Sequence, residues 1–441
     1  MKRKSRIAAL MALSLIAIAC SDDKDADSPN TSDTAAPTST GDSTSDTTAP
    51  TGETRTLKIG YAYQDVSAFT ILSDKFSLGD IELQAQSVLE GWRRDGLLPA
   101  GIDIELVFAK FNTLNPDDML GACTKFAQDD EIFAAIASRD FPVGSTCLAE
   151  RFGIPIITSM GLSTSDYERG APWLFSVQPT QSQAILSFVE WANERGALEG
   201  KRVGIYWDTR SEEAADDLKA ALAELGVEVV SDLPSDGEGI GSPQDAILVP
   251  RFIEDGVDFP ILMVGTSSMT AFLDGANTQG YSPDLLWFEW ASHLNDVSTD
   301  ALPQDLIDGV QAMTFSRVGE LAAGIEPSAA AATCIENYES YAGEDVDLSV
   351  PVTAATGQLL FTCDLMAILL EGLRNAGGAD ITPESFAASL EMITDLEMAW
   401  WGNVSYSADD HAGVDQVRTI TWTTECGCWT AEGEFATISL S

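Results

Sequence analysis

Histidine is almost missing from this chain of 441 residues: there are two, His293 and His411. They stand far apart and in no metal-ligand spacing, so a zinc centre or a histidine-based triad has nothing to be built from. No GxSxG elbow and no GxxxxGK[ST] loop occurs. Gly237, Gly239 and Gly241 in SDGEGIGSP lack the tight strand-to-helix turn of a nucleotide loop and read as a surface loop. Basic residues are also few, 24 Lys and Arg against 69 Asp and Glu, a formal charge of −45. That balance makes nucleic acid and anionic lipid surfaces poor partners. It serves solubility, and its field favours neutral, zwitterionic or cationic ligands over polyanions. Carboxylates are so common that no acid/base couple stands out. The expectation is no catalytic residue, no cofactor and no metal. Past the N-terminus no apolar run is long enough to cross a bilayer, since Asp364 interrupts Leu359 to Leu370.

What is present begins with an export signal. Lys2, Arg3, Lys4 and Arg6 precede an apolar stretch from Ile7 to Ala19, and Cys20 comes directly after it. The junction resembles a bacterial lipobox, which implies residues 1–19 as signal peptide and a lipid on Cys20; a plain secretion signal is the alternative. Residues 20–54, rich in Ser, Thr, Asp and Pro, offer nothing to bury and read as a disordered linker reaching on the order of 30 Å. The stretch from Arg55 to Ser441 is long enough for two lobes with separate cores.

Apart from Cys20 there are six cysteines: Cys123, Cys147, Cys334, Cys363, Cys426 and Cys428. An even number in an exported chain suggests disulfides, with fifteen full pairings open. Neighbour pairing is the expectation, least secure for Cys426 and Cys428, whose ring would be tight.

Periodicity then sets the fold class. Strand patterns at TLKIGYAY, IDIELVFAKF, IFAAIAS and IPIITS alternate with helical patterns at DIELQAQSVLEGWRRDG, NPDDMLGACTKFAQDD and TCLAERFG. The alternation restarts after PWLFSVQPT with a long helix and then RVGIYW, VEVVS, PILMVG and LLWFEW as strands. Such alternation implies parallel βαβ units, here in two doubly wound α/β lobes. From Ala329 the chain turns helical, with Thr382 capping a last helix that has Pro383 in its first turn, and the end reads as a β-hairpin.

The order of LKIGYAYQD, NPDDMLGACTKFAQDDEIFAAIAS, CLAERFGIPIITS, PWLFSVQPT, KRVGIYWDT, ELGVEVV and LLFTCDLMAILLEGLRNAGG resembles the substrate-binding lipoproteins of branched-chain amino-acid-type ABC transporters. These have the type I periplasmic binding fold. CGCW and the placement of Cys123 and Cys147 look like actinobacterial members. The resemblance implies two Rossmann-like lobes joined by a three-stranded hinge that close on a ligand like a flytrap. Crossovers near Thr180, Phe315 and Leu396 would assign 56–180 with 316–395 to one lobe, and 181–315 with 396–441 to the other.

Ligands of parallel sheets bind beyond the carboxyl ends of the strands. Those ends carry Tyr63, Gln64 and Asp65; Ser138 and Arg139; and Ser159, Leu162, Ser163 and Thr164. In the second lobe they carry Trp207 and Asp208; Thr266, Ser267 and Ser268; and Glu289 and Trp290. The resemblance implies that Ser163, with Leu162, grips a ligand carboxylate and that Glu289 meets its ammonium. Arg139 either holds a carboxylate or pairs with Asp140, and Trp207 and Trp290 either wall the cleft or pack beneath it. The function expected is capture of a small polar or zwitterionic solute, an amino acid or related compound, for delivery to ABC permease subunits. A ligand-sensing receptor of the same fold is the alternative. A monomer on the outer face of the cell membrane is expected, since closure needs free lobes.

Overall fold

The computed structural model describes residues 54–67, 74–112, 115–139, 141–235, 244–290 and 294–437. The signal segment, Cys20, most of the linker and the loop of Gly237, Gly239 and Gly241 lie outside them. Three strand sets organise the chain. In the first, β1 (Arg55–Gln64), β2 (Ile102–Phe111), β3 (Ala134–Ser138), β4 (Ile156–Thr158) and β5 (Leu174–Ser176) are all parallel in the order β2-β1-β3-β4-β5. In the second, β6 (Arg202–Asp208), β7 (Glu228–Ser235) and β8 (Phe259–Met263) run parallel in the order β7-β6-β8. In the third, β9 (Leu286–Phe288) and β10 (Gln311–Thr314) are parallel, while β11 (Gln416–Thr423) and β12 (Cys428–Thr437) join antiparallel.

β3 and β8 are short, apolar in nearly every residue and buried at every position, as strands covered on both faces are. The second lobe differs from a purely parallel sheet. The hairpin expected at the C-terminus lies along β10 and extends the sheet in the opposite sense, since a short turn can only return the chain antiparallel. Two helical segments also differ in detail. Pro116–Thr124 passes into a π-helical turn at Lys125–Asp129, and the helix around CLAER begins earlier, at Pro142, before its own π-helical turn at Cys147–Arg151. Cys123 and Cys147 bridge these two segments.

The helix Ala354–Ala376 is the axle of the first lobe. By length and composition it could cross a membrane, yet most of its apolar window is buried, as a core helix requires. It packs against the helices Ile81–Asp95, Ala329–Ala342 and Pro383–Leu390, and Cys363 binds it to Cys334. Pro383–Leu390 starts as its sequence dictates, with a capping box between Thr382 and Ser385 and Pro383 in the first turn. The chain passes between the strand sets three times: between β5 and β6, between β10 and Ala329, and between Leu390 and β11. A bridge at Ser316–Trp401 ties the second and third passages together, and one at Leu396–Val404 folds the third back on itself.

Candidate functional site

The carboxyl ends of β1, β3 and β4 meet the first turns of Ala354–Ala376, and a polar cluster forms there inside an apolar surround. Gln358 and Thr362 stand one turn apart on that helix and are fully buried. Gln358 Nε2 donates to Ser138 Oγ at 2.8 Å, and its Oε1 accepts from Arg139 Nε at 2.8 Å. Thr362 Oγ1 lies 3.0 Å from the Tyr61 hydroxyl and 3.4 Å from Gln84 Oε1. Ser159 Oγ accepts the Arg139 backbone N–H at 2.7 Å. These bonds hold Arg139 at φ 63°, a left-handed conformation that a side-chain-bearing residue adopts only under local constraint.

The Arg139 guanidinium lies 5.6 Å over the Phe361 ring, which stands edge-on to Trp401. Loss of water pulls its pKa down to about 10, and no described carboxylate offsets that loss. Asp140, its alternative partner, lies outside the described residues. The Tyr61 hydroxyl, below, is pushed up to about 12 by burial and stays neutral.

The other strand-end residues do different work. Tyr63 donates to Glu82 at 2.6 Å, and burial holds its pKa far above the phenolic range. Gln64 closes β1. Asp65 accepts the Ser67 N–H and pairs with Lys110 at 3.0 Å, which lowers its pKa. Leu162 is buried, and its carbonyl receives the Gln181 N–H. Ser163 caps the short helix Thr164–Gly170: it accepts the Asp166 N–H at 3.1 Å and donates to the Asp166 carboxylate at 2.7 Å. Its hydroxyl proton is therefore committed within its own turn.

In the second lobe, Trp207 donates to Asp232 at 2.6 Å and Lys219 sits over its ring, so it packs against β7. Trp290 is buried edge-on to Phe288. Asp208 takes two bonds from the Arg210 guanidinium at 3.1 and 3.0 Å. Thr266 opens the helix Thr266–Gln279; Ser267 beside it is exposed, and Ser268 donates to Asp245. Glu289 is almost fully buried. Its Oε2 accepts from Thr314 Oγ1 and, at 3.1 Å, from the Phe315 N–H, which places it under the second passage between lobes. Burial raises its pKa to about 7.

Gln358, Thr362 and Phe361 were not among the residues expected from the sequence. Their signal is faint but real: two polar side chains four apart in an apolar helical run, GQLLFTCD.

Two sets of strand ends with an intervening triple passage are the architecture of a flytrap binding protein. The model of the family described as periplasmic binding protein matches residues 93–426. The chain belongs to the periplasmic binding protein family. This periplasmic binding protein has the type I fold of the substrate-binding proteins of branched-chain amino-acid ABC transporters, components that work outside the cytoplasm. Leucine-binding protein LivK from Thermotoga maritima superposes with a TM-score of 0.65 at 15% identity, over 86% of this chain and 99% of its own. A solute-binding protein from Rhodopseudomonas palustris BisB5, in complex with 3,4-dihydroxybenzoic acid, gives 0.65 at 15%, over 87% and 97%. A fatty acid transporter substrate-binding protein from Thermomonospora curvata gives 0.65 at 15%, over 88% and 95%. At such identity these share the fold. No curated protein sequence matches the chain.

Proposed function

We propose that this periplasmic binding protein captures a small carboxylate-bearing solute, an amino acid or a related compound, between its lobes and delivers it to the permease of an ABC importer. The observation that carries the reading is the cluster of Ser138, Arg139, Ser159 and Gln358, a preorganised cationic and hydrogen-bonding group at the carboxyl ends of parallel strands. The relatives of like fold differ in cargo, leucine, a dihydroxybenzoate or a fatty acid, and each of these carries a carboxylate. Closure would turn on the passages near Thr180, Phe315 and Leu396, with residues 56–180 and 316–395 moving against the rest. A lipid on Cys20 would hold this monomeric protein at the outer face of the membrane, with the linker giving it reach. The mechanism asks nothing of bond-breaking chemistry, only differential affinity for the closed state.

A thermal-shift screen of the full chain against amino acids, amides, carboxylic acids and sugars tests this. A ligand at a hundredfold excess over its dissociation constant adds about 2.7 kcal/mol of stability. A panel in which no solute raises the melting temperature would sink the capture reading.

A further inference from the structure

We infer that the solute is a monocarboxylate without an ammonium group, held by Arg139, rather than an α-amino acid. This rests on the capture reading and narrows it. Three observations converge.

First, Arg139 is a cation at the strand ends of the first lobe, where Lys110 is already paired with Asp65. Its Nε is spent on Gln358, a neutral partner, and its guanidinium is stacked near Phe361. An arginine in such surroundings gains most from a planar anion that takes two parallel N–H bonds, and a carboxylate fits that fork.

Second, the hydroxyl turn that would otherwise receive a carboxylate is guarded by acids. The Ser163 proton goes to Asp166, and the Ser165 N–H beside it points to Glu213 Oε2 at 3.3 Å. An anion placed there meets two carboxylates, so the anion belongs at Arg139.

Third, the described residues place no carboxylate on Arg139, and the acids at the other strand ends hold partners of their own. Asp208 is paired with Arg210 and Asp65 with Lys110, Glu82 accepts from Tyr63, and Glu289 lies buried under the second passage, accepting from Thr314 and Phe315. An ammonium entering beside Arg139 would face a guanidinium and lose its hydration with no described carboxylate next to it. The strongly negative chain as a whole also opposes ligands with several negative charges, which leaves one carboxylate as the anion accepted.

Matched ligands test the class on the full chain by calorimetry: 4-methylpentanoate, leucine and 4-methylpentanamide, then benzoate and benzamide. Expected is binding of one or both acids, at least tenfold weaker binding of leucine, and none of the amides. Arg139→Gln should abolish acid binding, and Arg139→Lys should keep part of it, with unliganded melting temperatures reporting that both variants fold. Leucine binding as tightly as the matching acid would overturn the class while leaving capture intact, as would binding of a sugar or amide alone. Acid binding that survives Arg139→Gln would overturn the anchor. A gain of more than tenfold in Asp140→Asn would show Arg139 already neutralised by Asp140, and would overturn it too. No binding by any solute would remove the capture reading itself.

Discussion

The carboxylate of Asp364, in the middle of Ala354–Ala376, accepts the backbone N–H of Trp401 at 3.0 Å, and those of Ala399 and Trp400 as well. One side chain thus fastens the third passage between the lobes to the axle of the first lobe. The same aspartate breaks the apolar run in the sequence, and its position there is explained by this contact.

Burial raises the Asp364 pKa to about 7 from an ordinary 3.8, despite three N–H donors that pull it down. Asp296, which accepts the N–H groups of Val352 and Trp429, is raised to about 6, and Glu289 to about 7, also by burial. All three folded-state values exceed the unfolded ones, so the native chain holds protons that the unfolded chain releases. Stability is then greatest below the unfolded values and falls as pH rises toward 7. Calorimetric melting temperatures should decline by several degrees from about pH 5 to pH 8. Asp364→Asn should flatten that slope while lowering stability by about 1–3 kcal/mol, because its amide cannot accept all three donors. A melting temperature that climbs across this range would contradict the account.

Gly161 lies against the first passage: a Cβ there would sit 1.8 Å from the Pro179 carbonyl oxygen. Backbone cannot swing aside as a side-chain tip can. Gly161→Ala should cost about 2–4 kcal/mol in denaturant titrations, within the range of severe steric substitutions. A loss below roughly 0.5 kcal/mol would mean that the loop carrying Ser159 and Ser163 moves freely from the passage.

Cys334 and Cys363 join the helices Ala329–Ala342 and Ala354–Ala376 across 29 positions. Replacing both with alanine should lower unfolding free energy by roughly 3–4 kcal/mol, the chain-entropy value for a loop of this length. Urea titration of the double variant reads this directly.

Glu213, on the helix Glu212–Glu224 of the second lobe, reaches the Ser165 N–H of the first. The contact is exposed, so Glu213→Ala should change folding stability by less than about 1 kcal/mol. Its effect should appear in lobe closure: ligand dissociation a few-fold faster in stopped flow, with small-angle scattering showing a larger radius for the unliganded variant. An unchanged dissociation rate would place the contact outside the closing motion.

Much of the architecture was readable because it depends on local pattern. Alternating apolar runs and helical stripes announced the parallel units, and Thr382 with Pro383 announced a helix start, since capping is decided within four residues. All three disulfides join the neighbours expected. The candidate site was legible only in outline. Reading strand ends brought forward Ser138, Arg139 and Ser159, which the fold gathers into one cluster, but also Trp207 and Asp65, whose hydrogen bonds lead elsewhere. Gln358 went unnoticed because its role depends on a partner 220 positions away.

The sequence alone determined the alternation of strands and helices, the helix caps, the excess of negative charge and the candidates for burial. These come from spacing, propensity and composition, which are properties of neighbouring residues. Tertiary structure alone decided which carboxylates are spent and which cation lies among neutral partners. The sequence marks Asp364 as a break in an apolar run, Glu289 as a strand end and Asp166 not at all, and only the donors that folding carries to them assign one to the third passage, one to the second and one to a helix cap.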